Sequence, residues 1–465
     1  MLKQSVQQIQ FDFLPQKPVV VQSRPQPISG DAGLLPIRQF DERWRYTQRL
    51  AGCLVDRRCE PEHAHEQMVR QRLYGILAGY ADCNDHDTLR SEPVFKLIAG
   101  RAVADDPLAS QPTLSRFENS VTPAELQRLI DFTIDTGVER LREKHGGPRN
   151  QLPAQVTLDL DTTDDPTHGD QQLTLFHGYY DQYQYLPLII SEPTTKHVFL
   201  AWLRPGTLHP TRGADEDLLR VVSQLRQARS DVTIHVRGDA DFGLPVMMDC
   251  CENVDESTGK AAFSYTFGLR GNAVLKRLAG PLMDKAQRRY RRTGKKQRLF
   301  MRFAYQAESW PHPRTVVAKA EAHDGGTNLR FVVTNLPVPG VRQARRIYDD
   351  YTQRGTSEQR MDELKNGLCA DRLSCHRFKA NFLRLLLHTA AYNLLNALRD
   401  HPDVPHVLRR GQPCTWRTHL IKVAATVIQS CRRIVVTLAG QWPWVHFYTA
   451  VSRRALLPGA AGPAP

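Results

Sequence analysis

Val156-Thr-Leu-Asp-Leu-Asp161 alternates apolar with polar residues, the period of a strand that buries one face. The same reasoning applied further along the chain predicts strands over 179–190, 196–203, 232–236 and 263–269, and an amphipathic helix over 215–229. The order strand-strand-strand-helix-strand-helix-strand predicts an α/β fold in which helices flank a mixed sheet.

Charge and composition narrow the classes of function. The 465 residues carry 62 Lys and Arg against 49 Asp and Glu, a net charge of +13, which favours a polyanionic partner such as nucleic acid. No apolar run reaches the roughly 20 residues that a membrane span needs, and residues 1–10 lack a signal-peptide core, so a membrane protein is excluded. Nine cysteines without a regular framework indicate reduced thiols in a cytosolic protein.

Changes in composition along the chain divide it into segments. We expect an extended Pro- and Gln-rich arm over 1–40, a helical region over 41–150, the first part of the sheet core over 151–271, a β-rich insertion with a basic arm over 272–340, a helical C-terminal region over 341–457, and a disordered tail over 458–465.

Four polar residues near the C-terminal side share one helix face if the helix is continuous. Tyr351, Arg354, Glu358 and Lys365 stand at i, i+3, i+7 and i+14, which places them within an arc of roughly 60°. Taken alone, such a group is typical of a structural set of ion pairs.

Further carboxylates follow the predicted strands. Asp159 and Asp161 lie on one face of the first strand, and Asp239 follows the fourth. Aspartates inside a strand are costly to bury unless a partner compensates their charge, and a divalent cation is one such partner. Together with Glu358 they predict a carboxylate site at the edge of the sheet.

These segments in combination resemble the DDE transposases of bacterial insertion sequences, in the branch marked by Tyr-x2-Arg-x3-Glu-x6-Lys. The resemblance covers about residues 110 to 450 and implies a ribonuclease-H-like core. It implies Asp161, Asp239 and Glu358 as the catalytic triad and metal ligands. Asp161 is preferred because Thr162 and Thr163 follow it, as a small residue and Thr follow the family's first Asp, with Asp159 as the alternative metal ligand.

The resemblance also implies DNA contacts. Tyr351, Arg354 and Lys365 would hold phosphates beside the active site, Arg237 precedes the second Asp, and Trp310 in the insertion is a candidate wedge for a flipped base. A half-buried structural Trp is an equally good interpretation of Trp310. The basic arm adds six candidate phosphate contacts: Arg288, Arg289, Arg291, Arg292, Lys295 and Lys296.

The implied reaction is cut-and-paste transposition of an insertion sequence, with two Mg²⁺ ions per site, Mn²⁺ able to substitute, and a hairpin intermediate. The implied partners are double-stranded DNA, as terminal inverted repeats and target, and a second copy of the chain in the synaptic complex, within the bacterial cytoplasm at the nucleoid. Two alternatives stay open: a nuclease of the same fold without strand transfer, and a transposase-derived DNA-binding protein.

Overall fold

The N-terminal part of the chain is a helical bundle in the computed structural model, which describes residues 8–14, 16–22, 26–147, 150–178, 181–255, 260–401 and 404–455. Its elements are β1 (Ile9–Phe11), β2 (Val19–Val21), β3 (Ile28–Ser29), α1 (Leu34–Trp44), α2 (Tyr46–Gly52), α3 (His65–Ala78), α4 (His86–Leu89), α5 (Pro93–Ile98), α6 (Gln111–Ser120) and α7 (Pro123–His145).

The predicted extended arm ends earlier than residue 40. Helix α1 begins at Leu34, and the side chains of Leu34 and Ile37 are fully buried. The spacing of three residues between these apolar side chains places both on the packed face of the helix. The expectation of an arm over 1–40 is therefore wrong for its last residues.

The central part of the chain alternates strands and helices. Its elements are β4 (Gln155–Thr162), β5 (Asp165–Pro166), β6 (Leu175–His177), β7 (Gln182–Tyr185), β8 (Leu188–Ser191), β9 (Val198–Trp202), α8 (Ala214–Ala228), β10 (Thr233–Gly238), α9 (Pro245–Glu252), β11 (Val254–Asp255), β12 (Lys260–Ala261) and β13 (Ser264–Leu269). The strand predicted over 179–190 is divided at Leu186-Pro187, and Tyr179 and Tyr180 within it lie outside the described residues.

Five of these strands form the predicted mixed sheet, in the order β9-β8-β4-β10-β13. Strands β4, β10 and β13 run parallel, whereas β8 is antiparallel to both β4 and β9. Numbered along the chain, the order is 3-2-1-4-5, which is the arrangement of a ribonuclease-H-like core. The predicted fold class, α/β with a mixed sheet of this type, is confirmed.

The insertion continues the same sheet. It consists of α10 (Ala273–Thr293), β14 (Gln297–Tyr305), β15 (Arg314–His323) and β16 (Gly326–Thr334), and β16 pairs with β13 so that the sheet has eight strands. The insertion has three long β-strands, and much of the basic arm is the end of a regular helix. The buried side chains of Leu275, Ala279 and Ala286 anchor α10. In the sequence, the high density of charged residues obscured this helix.

The C-terminal region is helical but interrupted. It contains α11 (Val341–Thr352), α12 (Gly355–Asp362), α13 (Phe378–Arg399), α14 (His406–Arg410), α15 (Pro413–Trp416), β17 (Ala425–Gln429), β18 (Ile434–Leu438) and α16 (Val445–Ala455), with π-helical turns at Glu363–Gly367 and Arg417–Ile421. The hairpin of β17 and β18 pairs with β3, which corrects the expectation of a purely helical region.

The sequence also led to expectations about the C-terminal tail and about membrane-spanning helices. The predicted disordered tail over 458–465 lies outside the described residues. Within the described ranges, no helix combines the length and apolar character that crossing a membrane requires.

Candidate active site

Two of the predicted site residues meet at the carboxyl edge of the sheet. Leu160 of β4 is opposite Gly238 of β10 in the parallel register, so Asp161 and Asp239 are the next residues along the two strands. Parallel strands end at the same edge of a sheet, which is why Asp161 and Asp239 become neighbours in space although they are far apart in the sequence. The charge of Asp239 accordingly contributes to the pKa of Asp161.

The carboxylate of Asp161 is almost completely buried. Its Oδ2 accepts hydrogen bonds from Arg354 Nη1 at 3.1 Å and from Ser357 Oγ at 2.9 Å. Burial raises the pKa of Asp161 to about 6, and Asp239 adds to the rise while Arg354 opposes it. Burial therefore favours the protonated form of Asp161, whereas the ion pair with Arg354 favours its carboxylate form.

Asp239 occupies the turn that follows β10. Its Oδ1 accepts a hydrogen bond from the backbone N–H of Asp241 at 2.8 Å, which fixes the turn. Burial raises the pKa of Asp239 above its ordinary value, despite the hydrogen bond from Asp241. Two partly desolvated carboxylates at one strand edge form a site in which a cation is favourable.

Glu358 lies in the first turn of α12 and faces solvent. Its side chain is 77% exposed, and its Oε1 is 4.0 Å from Arg354 Nη2. Over the described ranges, no three acidic, His or Cys side chains converge closely enough to hold a metal ion. The oxygen donors of Asp161 and Asp239 fit a hard divalent cation, and Glu358 is the nearby candidate for a third ligand once its side chain turns inward.

The polar residues of the signature do not share one continuous helix. Helix α11 ends at Thr352, α12 begins at Gly355, and Lys365 lies in the π-helical turn Glu363–Gly367. The expected common arc of roughly 60° is therefore wrong, because it required an unbroken α-helix.

The breaks point the signature side chains at different neighbours. Arg354 lies between Asp161 and Glu358, and Lys365 Nζ donates to the backbone oxygen of Asp164 at 2.7 Å and to its Oδ1 at 3.0 Å. Tyr351 lies against β13, where a Cβ at Gly268 would be 2.7 Å from the tyrosine hydroxyl. A glycine at this position allows Tyr351 to approach the Asp239 turn.

The structure gives Asp159 and Arg237 a different place from the expected one. Asp159 is fully buried, and its carboxylate accepts hydrogen bonds from Arg237 and Arg360. Arg237 is also buried, and its Nη1 donates to the backbone oxygen of Asp350. With its nitrogens engaged inside the protein, Arg237 does not present a group to a DNA phosphate, and the paired Asp159 is not retained as a metal ligand.

Trp310 is likewise unsuited to the predicted wedge. It lies in the turn between β14 and β15, is only 5% exposed, and packs edge-on against Tyr305 with ring centroids 5.3 Å apart. The Arg314 guanidinium covers its ring at 5.4 Å. The structure therefore supports the alternative interpretation, a packed structural side chain, and corrects the expectation of an exposed wedge.

The basic arm does present its charges to solvent. Six cations at the end of α10 and in the turn to β14 have exposed side chains: Arg288, Arg289, Arg291, Arg292, Lys295 and Lys296. Among the described residues, the ion pair that these six cations make joins Lys296 to Glu321 at 3.6 Å. This arrangement is suited to a polyanion, because most of the local charge is uncompensated.

Two residues at the site were missed from the sequence. Ser357, fully buried, bonds Asp161, and Arg360, also buried, bonds Asp159. Both lie on α12, three residues apart and therefore on one face of the helix. Arg360 stands two residues after Glu358 in the sequence, but its partner Asp159 is 201 residues away, so the pairing could not be predicted from local pattern.

The chain is similar to a known protein family. The family model of the transposase DDE domain group 1 matches residues 11–457. No curated protein matches the chain significantly. A solved structure of piggyBac transposase in a synaptic complex with hairpin DNA is similar at 14% sequence identity and a TM-score of 0.41, over 78% of this chain and 74% of that chain. Because the family model spans nearly the whole chain, the chain belongs to the family of transposases with a group 1 DDE domain.

Proposed function

We propose that the chain is a DNA transposase that carries out metal-dependent cut-and-paste transposition of a bacterial insertion sequence. The observation that carries the proposal is the meeting of Asp161 and Asp239 at adjacent ends of parallel strands, with Glu358 directly after the serine that bonds Asp161. Membership of the branch with the Tyr-x2-Arg-x3-Glu-x6-Lys signature is part of this proposal.

The side chains at the site suit phosphodiester chemistry. Asp161, Asp239 and Glu358 would hold divalent ions, Mg²⁺ or Mn²⁺ and two per site, which when bound supply Lewis acids for the attacking and leaving oxygens. Arg354 forms an ion pair with Asp161 at 3.1 Å. The partly buried setting of the two aspartates excludes bulk water, which strengthens their interaction with a cation.

The exposed cations of the basic arm support binding to the DNA backbone. Arg288, Arg289, Arg291 and Arg292 offer guanidinium groups that pair well with phosphate oxygens. We assign the recognition of terminal inverted repeats to the helical region over 41–150. The described part of each chain contains one such carboxylate site while a transposon has two ends, so a homodimer is expected in the synaptic complex.

The test is cleavage of a labelled duplex that carries the terminal repeat of the element, with Mg²⁺ and an unlabelled target plasmid. A transposase gives a nicked end, then a hairpin, then product joined to the target. Cleavage without joined product would favour a nuclease of the same fold, and specific binding of the end without any cleavage would favour a DNA-binding protein. Either result would overturn the proposal.

A further inference from the structure

A buried charged row crosses the sheet just below the candidate active site. In the strand register, Asp159 of β4 lies opposite Arg237 of β10 on one side and Ser191 of β8 on the other. Arg360 of α12 lies over this row, bonding Asp159 Oδ2 at 2.5 Å and Ser191 Oγ at 3.2 Å. One carboxylate thereby joins three strands to the helix that carries Glu358.

The contacts leave little freedom to the groups involved. Arg237 Nε is 2.7 Å from Asp159 Oδ1, and Arg237 Nη2 is 3.1 Å from Asp159 Oδ2, so the pair is bidentate. The side chains of Asp159, Arg237 and Arg360 are 0%, 3% and 3% exposed. Charge-assisted bidentate bonds in a desolvated setting fix orientation as well as distance.

Each member of this ion-pair cluster stands two residues from one member of the proposed triad. Asp159 precedes Asp161, Arg237 precedes Asp239, and Arg360 follows Glu358. On a strand, residues two apart point to the same face, so Asp159 and Asp161 share one side of the sheet.

We propose that Asp159, Arg237 and Arg360 are positioning residues that hold the three triad-bearing elements in register for metal binding. The inference rests on the proposed function, because it assigns the triad to metal. Asp159 acts as the hub: it anchors β10 through Arg237 and draws α12 onto the sheet through Arg360. Arg237 extends the same link to α11, since its Nη1 donates to the backbone oxygen of Asp350 at 2.8 Å.

A buried ion pair can also serve stability alone, and the chain contains a matched control for that role. Glu118 is fully buried between Arg72 and Arg384, at 2.8 Å and 2.6 Å, and contacts none of the triad residues. The two clusters have the same composition, one carboxylate between two guanidiniums. Breaking either one leaves uncompensated buried cations and lowers stability, but only the Asp159 cluster should affect metal binding.

The test compares Asp159→Asn with Glu118→Gln in the full chain, using Mn²⁺ binding measured by electron paramagnetic resonance and the thermal midpoint of unfolding. We expect Asp159→Asn to weaken Mn²⁺ binding by about 10- to 100-fold, the range for groups that orient metal ligands. Glu118→Gln should change Mn²⁺ affinity by less than about 2-fold, as for a distant independent site. Equal Mn²⁺ affinity in Asp159→Asn and wild type would overturn the proposal, as would equal losses in both variants.

A second variant covers the case in which Asp159→Asn does not fold. Arg360→Gln removes the cation of α12 and leaves Asp159 paired with Arg237. It should bind Mn²⁺ about 10-fold more weakly than wild type, and unchanged affinity would contradict the proposal. Mn²⁺ binding is measured without DNA, so a wild type whose Mn²⁺ affinity depends on this cluster but which cuts no DNA would reject only the proposed function.

Discussion

Arg354 Nη1 donates a hydrogen bond to Asp161 Oδ2 across 3.1 Å, although the two residues are separated by 193 positions in the chain. The same guanidinium has its Nη2 4.0 Å from Glu358 Oε1. Arg354 therefore lies between two of the three proposed metal ligands. This position indicates that Arg354 mainly compensates the negative charge of the carboxylates at the site. The family resemblance implied instead that Arg354 contacts a phosphate.

These two roles of Arg354 make opposite predictions for DNA binding. We expect Arg354→Met to reduce end cleavage by at least about 10-fold, as for loss of a group that orients a ligand. The dependence of DNA affinity on salt should stay unchanged, because the guanidinium bonds a carboxylate. If the slope of log K against log salt instead falls by about 0.9, the residue contacts a phosphate.

Ser357 is the other side chain that bonds Asp161, and it is fully buried. Ser357→Ala should cost about 1.5–3 kcal/mol of unfolding free energy, because a hydrogen bond to a charged group is lost. It should also slow cleavage by about 10-fold or more through misplacement of Asp161. Thr352→Ala is a suitable control. Thr352 lies on the neighbouring helix α11, where its hydroxyl donates a hydrogen bond to the backbone oxygen of Asp349 in the same helix. Cleavage at the wild-type rate by Ser357→Ala would reject this role.

The basic arm is expected to act on DNA through charge. Replacement of Arg288, Arg289, Arg291 and Arg292 by Ala should weaken binding uniformly across DNA sequences and reduce the salt slope by up to about 4. Fluorescence anisotropy at several salt concentrations measures both effects. The fourfold Arg→Lys variant keeps the charge and should retain the slope; a loss of slope in both variants, or in neither, would contradict an electrostatic role.

Glu118 predicts a distinct dependence of stability on pH. Although burial raises the pKa of Glu118, Arg72 and Arg384 lower it to about 2, below its ordinary value of 4.5. A depressed folded-state pKa contributes stability that is present above about pH 4.5 and is lost as the pH falls toward about 2. Glu118→Gln should therefore lower stability by about 3–5 kcal/mol near pH 7, and the difference from wild type should shrink below pH 4.5. A difference independent of pH would show that the pairing is not the cause.

The strands that carry Asp161 and Asp239 were predictable because local alternation determines them. Val156, Leu158 and Leu160 are all buried, as the period of two indicated. The interruption between α11 and α12 was not predictable in the same way. Its residues, Gln353 and Arg354, have good helix propensity, and the contact of Arg354 with Asp161 on the sheet depends on the tertiary structure.

The choice between Asp159 and Asp161 could not be made from spacing either. The two residues share one face of β4, and only their partners distinguish them. Asp159 meets Arg360 from 201 positions away, whereas Asp161 meets Asp239 at the open edge. The predictions for Trp310 and Arg237 were wrong for the same reason. Exposure is a property of the tertiary structure, and the residue types Trp and Arg carried no information on it.

The most direct test of the central claim compares wild type with Glu358→Gln in Mg²⁺-dependent cleavage of a labelled transposon end. Asp362→Asn is the matched control, because this exposed acid lies one turn further along the same helix. We predict that Glu358→Gln binds the end normally but cleaves it at least about 100-fold more slowly, as expected for a group at least as important as those that orient metal ligands. Asp362→Asn should cleave like wild type. Cleavage by Glu358→Gln at the wild-type rate would contradict the account.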